Sequence, residues 1–351
     1  MNVQWKPEAC DFPADPDTGV ALVQLTCSNE MSTTIYCEQP YCTPDGNRVA
    51  IVRGNDFSFD DRRKLLVADL ERIKLALLQS DFTPGKGSAS IANAPWSGLL
   101  HYWVGDAVVR ADMNEMTTRA LFEQPEAPGP RILQSVSADQ RYAIYKTLRP
   151  GPTNGIVRLD LSDGSWDIIH EDPQITNPHL QFNPIHGRQI LVQHNRDTRV
   201  TEDGGTEPTG EQLGTTLFVI DADGTNRRPL PVGEPYTSGA TGHECFVADT
   251  GRVCFTVQWD KRTWQLDERW PQGNLFTAAP GDKEPVPFEA PEHRFNHVCV
   301  SRCGRYFLAD SYGRGLPGPV PLVMGNFETG KYRTLVEDCG AQCGGAQFTH
   351  A

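Results

Sequence analysis

The chain has 351 residues, with 32 glycines, 27 prolines and a formal net charge of −13. That acidic balance argues against nucleic acid as a partner, which needs a basic surface, and no apolar run approaches the ~20 residues of a membrane span. An anionic small substrate is not excluded, but it requires a local cationic pocket working against the overall field.

The opening MNVQWKPEACDFPADPD is acidic and polar, with no charged region leading into an apolar one, so no signal peptide is expected. The expected location is therefore cytoplasmic, and the ten cysteines are read as reduced. Cys299 and Cys303 are four apart, as are Cys339 and Cys343. That is not a zinc-ribbon spacing, and small buried residues on strands are the expectation.

In chain order, TGVALVQLT (19–26 and its preceding Thr18) reads as an outer strand with no inner strands before it. YCTPDGNRVAIVR follows, two apolar runs around a turn at Pro44-Asp45-Gly46. LERIKLALLQ has helical apolar spacing, but its place after LLVAD predicts a turn and outer strand. SGLLHYWVGDAVVRADM is a weaker copy of the same pattern. Clear copies return in SVSADQRYAIYKTL, LQFNPIHGRQILVQH, CFVADTGRVCFTV and VCVSRCGRYFLAD. Second hairpins follow at Asp163-Gly164, Asp223-Gly224 and Thr329-Gly330, and Asp-Gly between alternating strands is a strong hairpin signal. Two hairpins every ~45 to 60 residues is the arithmetic of a propeller blade. The expectation is one all-β domain over residues 1–351, a seven-bladed β-propeller of four-stranded antiparallel blades. Six units are complete, and the seventh begins with QCGGAQFTHA and is truncated. Gly19 to Thr26 would close the ring on that last blade.

Residues just before each inner strand of a propeller are neighbours in space, though far apart in sequence. His179, His243, His297 and His350 all fall there. Neutral imidazole is the commonest metal ligand and also suits a general base near neutral pH. The alternative for each is a histidine that ties one blade turn to its neighbour.

The ordered set of short motifs resembles the oligogalacturonate lyases, polysaccharide lyase family 22. DPDTGVALVQLT (Asp15 to Thr26) is similar to the family's opening stretch, and the Pro44 to Gly46 turn follows as it does there. His179 to Pro184 resembles its H-x-x-x-x-P segment, with His194 after it. Thr241-Gly242-His243-Glu244-Cys245 resembles T-H-E-F-W, Asn296-His297 through Gly304 resembles S-H-x-x-S-x-x-G, and Gln347 to Ala351 resembles Q-x-T-H-x-H.

The resemblance implies a seven-bladed propeller that cleaves short oligogalacturonates, such as unsaturated digalacturonate, by β-elimination in pectin breakdown. It implies Mn²⁺ or another divalent cation held by His297, Gln347 and His350, with His243 as the base. His179, His194 and Arg199 are the expected contacts to an anionic uronate oligosaccharide. Two departures stand out. The family's last ligand histidine has no counterpart in these residues, and Thr215 or Thr216 stands where its catalytic arginine is expected. Arg196 or Arg199, in the loop QHNRDTRV, is the candidate substitute. Those departures keep two other readings open: a non-catalytic propeller of the TolB kind binding sugar or protein, and a lyase for a different uronate. The sequence is silent on oligomeric state.

Overall fold

The computed structural model describes residues 3–54, 63–82, 91–312 and 319–338. Among them there is no helix. A short N-terminal hairpin pairs β1 (Cys10–Phe12) with β2 (Leu22–Gln24). Six four-stranded antiparallel sheets follow in chain order, each strand beside its sequence neighbour except in the fourth sheet, where a separate two-stranded hairpin intervenes.

From the axis outward, the first blade is β3 (Met31–Thr33), β4 (Arg48–Gly54), β5 (Arg63–Asp69) and β6 (Lys74–Phe82). The second is β7 (Ala92–Asn93), β8 (Leu99–Val104), β9 (Ala107–Asp112) and β10 (Thr117–Glu123). The third is β11 (Leu133–Val136), β12 (Tyr142–Arg149), β13 (Thr153–Asp160) and β14 (Trp166–Asp172). The fourth opens with β15 (Gln181–Phe182) and β16 (Gln189–Asn195), then makes a hairpin excursion, β17 (Thr198–Val200) and β18 (Thr206–Pro208). It resumes with β19 (Thr215–Asp221) and β20 (Arg228–Pro229). The fifth is β21 (Ala240–Phe246), β22 (Val253–Val257), β23 (Leu275–Ala278) and β24 (Val286–Phe288). The sixth is β25 (Phe295–Val300), β26 (Tyr306–Ser311), β27 (Leu322–Asn326) and β28 (Tyr332–Val336).

The apolar runs form strands because both faces of a blade are covered by its neighbours, so burial is continuous rather than alternating. All five residues of β22 are buried. Each core lies between two blades. Val52, Leu65 and Val67 of the first meet Leu100 and Tyr102 of the second. Phe246 and Phe255 of the fifth meet Leu191 and Val219 of the fourth, while Cys245 and Leu275 meet Val298 and Phe307 of the sixth. Cys37, Cys42, Cys245 and Cys254 are buried thiols, and burial pushes the Cys42 thiol up to about 12.

Where seven blades were expected, the described residues form six. Residues 342–351, assigned to a seventh blade, lie outside the described residues. The segment expected to be its outer strand forms only the two-stranded β1–β2 hairpin. The residues just before that segment meet the sixth blade rather than a seventh. Thr18 Oγ1 donates to the Leu335 carbonyl at 2.7 Å, and Glu337 N–H donates to Asp15 Oδ2 at 3.1 Å. On the other side, Lys6 bridges to Leu75 of β6, and Glu8 pairs with Arg53 of β4 at 2.6 Å. The N-terminal segment thus joins the first blade to the last. The reading of LERIKLALLQ as turn and outer strand agrees with β6.

The Asp-Gly hairpins also set blade spacing. Gly224 has φ +85°, and a Cβ there would lie 1.8 Å from the Ile169 carbonyl oxygen of β14. Gly330 has φ +66° with nothing within 4 Å of such a Cβ. Gly330→Ala should therefore cost only the left-handed backbone term, about 1–2 kcal/mol. Gly224→Ala adds a clash with rigid backbone, giving a total of about 3–5 kcal/mol. Urea unfolding of the two variants checks this, and equal losses would contradict the close blade approach.

Candidate functional site

The inner strands converge on a central channel, and the same local device presents side chains there. His179, His243 and His297 each lie four residues before the first turn residue of their blade, Asn183, Val247 and Ser301, whose N–H closes the turn onto Gln189, Arg252 and Tyr306. Strand register breaks at the second and third of these positions. The β21–β22 ladder slips between Ala240 and Glu244, and the β25–β26 ladder slips between Phe295 and Val298. In the third blade the slip between Leu133 and Ser135 falls on Gln134. A bulge removes a residue from the ladder and re-aims its side chain, which is why bulges collect beside functional sites. Gly242, at φ +99°, supplies the backbone freedom the bulge before His243 needs.

The first blade contributes through the segment after β3, where Tyr36 and Glu38 reach the same space. Tyr36 Oη lies 3.3 Å from His243 Nδ1. Glu38 is buried and sits at the centre of the cluster. Its Oε1 is 2.8 Å from His179 Nδ1 and 3.7 Å from His243 Nδ1. Its Oε2 accepts from Gln181 Nε2 at 2.8 Å, and that amide also donates to the Glu244 carbonyl at 2.6 Å. The His243 and His297 rings lie 4.0 Å apart, centroid to centroid, and His179 is 6.2 Å from His243. Asp310 of β26 fixes His297, with Oδ1 accepting the His297 N–H at 2.8 Å and Oδ2 lying 2.8 Å from Nδ1. A cavity of about 170 Å³ opens beside this cluster, lined by Tyr36, Glu38, Gln39, Gln134, Asn177 and His179 among others.

The electrostatics follow from burial and pairing. Burial alone would raise Glu38, but the charges and hydrogen bonds of His179 and His243 outweigh it and hold the carboxylate below its ordinary range. Burial works against a charged His179, yet the attraction and hydrogen bond of Glu38, with Glu244 adding, push it up to about 9. Burial lowers His243, and the nearby His297 adds to this against the pull of Glu38. Glu244 goes the other way. Burial and then the Glu38 charge raise its carboxyl to about 8, and neither carboxyl oxygen has a hydrogen-bond partner.

Of the site residues expected from sequence, His179, His243 and His297 come together. His350 and Gln347 lie outside the described residues. His194 packs elsewhere. Its ring meets Phe218 edge-on at 5.8 Å in the core between the third and fourth blades, with Nε2 3.4 Å from Asp172 Oδ2. Arg199 is on the exposed β17–β18 hairpin, where Nε lies 2.7 Å from Glu207. Thr215 and Thr216 lie in β19 with no charge of their own to offer. Sequence reasoning missed Tyr36, Glu38, Gln181 and Asp310. Glu38 had one usable signal: it precedes the Pro44-Asp45-Gly46 turn at almost the offset of the histidines.

A metal can be judged only by the donors present. The Asp310–His297 pair is the arrangement that orients an imidazole ligand, but among the described residues no group of three or more His, Cys, Asp or Glu could hold an ion. What the described cluster provides is an oriented imidazole pair, a buried carboxylate and a phenol facing a small cavity.

No family model matches the sequence, and no curated protein matches it significantly. Solved structures do. An oligogalacturonate lyase in complex with manganese superposes with a TM-score of 0.68 at 16% identity, over 96% of this chain and 85% of that one. An oligogalacturonate lyase from Vibrio parahaemolyticus gives 0.67 at 14% identity, over 97% and 86%. At these identities the likeness establishes the fold, a β-propeller with four-stranded antiparallel blades.

The Glu244 carboxyl has a consequence for stability. Its folded pKa is raised above the ordinary 4.5, to about 8. The folded chain therefore keeps a proton that the unfolded chain releases, and stability falls as pH rises between those values. Glu244→Gln removes that penalty. The variant should match the wild type near pH 4 and exceed it by about 1–4 kcal/mol at pH 8. Denaturant unfolding at the two pH values checks this, and a pH-independent difference would contradict the neutral buried carboxyl.

Proposed function

We propose that this propeller is a lyase that cleaves short uronate oligomers by β-elimination, with oligogalacturonate the first substrate to try. The observation that carries the reading is the imidazole cluster His179–His243–His297, oriented by two buried carboxylates, with His179 lining the adjoining cavity. The fold likeness to two oligogalacturonate lyases supports it.

β-Elimination takes the C5 proton of a uronate, which is only weakly acidic because the adjacent carboxylate is already negative. His243 is the base. Burial favours its neutral form, the form that accepts a proton, and Tyr36 and Glu38 hold its Nδ1 side. The C5–H electrons become the C4–C5 double bond, and the C4–O pair departs with the leaving sugar oxygen. The products are an unsaturated uronate and a shortened chain. The reading includes a divalent cation, with His297 as one ligand and Gln347 and His350 as others. Its charge would offset that of the substrate carboxylate.

A second reading, a propeller that binds sugar or protein without chemistry, draws on one observation: neither lysine nor arginine lines the cavity among the described residues.

The deciding assay follows the ultraviolet absorbance change on digalacturonate and unsaturated digalacturonate, with and without Mn²⁺. We expect metal-dependent turnover, lost by about 100-fold or more in His243→Ala, the usual scale for a general base. Undiminished turnover in that variant removes His243 as the base. Absence of turnover on either dimer, with metal supplied, favours the binding propeller.

A further inference from the structure

The cavity faces an apparent mismatch. An anionic sugar must enter a protein of net charge −13, through a cavity whose described lining holds Glu38 but no lysine or arginine. Arg199 is paired with Glu207 on an exposed hairpin. Lys146 of β12 donates to the Thr176 carbonyl at 2.5 Å. The other charged and titratable groups around His179 are Tyr36 and Glu38 from the first blade, and His243 and Glu244 from the fifth. The third blade offers only the neutral Gln134, whose Oε1 accepts the Leu180 N–H at 3.2 Å.

We propose that Glu38 holds His179 as an imidazolium, and that this imidazolium is the cation that receives a uronate carboxylate in the channel. The geometry is that of a built ion pair. His179 Nδ1 is 2.8 Å from Glu38 Oε1, and the carboxylate side chain is 3% exposed while the imidazole is 15% exposed. The buried partner is thus the carboxylate, and the partner that meets the cavity is the cation. Glu38 Oε2 is already engaged by Gln181, so an entering carboxylate meets His179 rather than a bare negative charge. The His179 backbone is left-handed, φ +44°, a conformation in which histidine is among the enriched non-glycine residues.

The charge count agrees. Glu244 has no hydrogen-bond partner for its carboxyl and lies in the field of Glu38. Two such carboxyls close together do not both ionise. Glu38 negative, Glu244 neutral and His179 positive sum to zero, so the immediate surroundings of His179 carry no net negative charge. A charge-assisted contact from the second His179 N–H then favours carboxylate over a neutral group. Glu38 is a positioning residue here, and His179 is the group that touches substrate.

This inference rests on the uronate reading for its ligand, but its test needs no turnover. Long-range ¹H–¹⁵N spectra of histidine-labelled, metal-free protein report the charge of each ring. In the wild type at pH 7.5, His179 should show two protonated nitrogens and titrate near 9, as its pairing with Glu38 requires. In Glu38→Gln it should be neutral at that pH. Calorimetry with saturated digalacturonate at pH 7.5 should show binding weakened about 10- to 100-fold in both Glu38→Gln and His179→Gln. The dimethyl ester, which lacks the charge, should bind all three proteins alike.

A neutral His179 in the wild type overturns the proposal whatever the fate of Glu38→Gln. So does unchanged digalacturonate affinity in folded His179→Gln. A protein that shows the charged ring and carboxylate-selective binding, yet never turns the sugar over, keeps this proposal and loses the lyase reading.

Discussion

A carboxylate buried in a protein interior is costly unless it is paired and hydrogen-bonded. Glu38 meets that requirement with side chains from a different blade: His179 Nδ1 and Gln181 Nε2, each at 2.8 Å. His243, from a third blade, stands 3.7 Å away. The first, fourth and fifth blades are therefore tied at the axis by one charge. Removing it would leave His179 without its counter-ion and Gln181 with the Glu244 carbonyl as its remaining acceptor. The charge of His179, the neutral state of Glu244 and the polarity of the cavity all depend on it.

The propeller makes such a cluster possible through repetition. The fourth, fifth and sixth blades deliver a histidine from the same position near the axis, and local bulges at Gln134, before His243 and at His297 turn side chains out of the ladder. The surrounding blades are held by apolar cores between sheets, which leaves the inner ends free to carry polar groups. Asp310 shows the second layer of the arrangement. It comes from the strand next to the inner one and fixes His297 through both its N–H and its ring.

Much of the fold was legible because its signals are local. Asp-Gly and Pro-Asp-Gly turns between short apolar runs marked the hairpins, and the recurrence of histidine at one offset from the blade turn picked out His179, His243 and His297. What was not legible depends on contacts between distant segments. Glu38 looks like an ordinary acidic residue in YCEQPYC until the fourth blade is placed against it. His194 shows the opposite limit of local signals: it follows a segment with a family-like motif, and its side chain lies between blades beside Phe218 and Asp172. Seven blades were expected because QCGGAQFTHA reads as the start of a seventh unit, whose outer strand was assigned to the segment after Thr18. It is a strand, yet among the described residues it pairs only with β1, and its attachment to the last blade comes through Asp15 and Thr18.

The central claim is that one channel cluster binds a uronate with its carboxylate at His179 and its C5 at His243. A crystal structure of His243→Ala with saturated digalacturonate tests it most directly. The account predicts a sugar carboxylate within hydrogen-bond distance of the His179 ring, with C5 of the same residue facing the space vacated at position 243. A sugar bound with its carboxylate turned away from His179, or bound outside the channel, would contradict it.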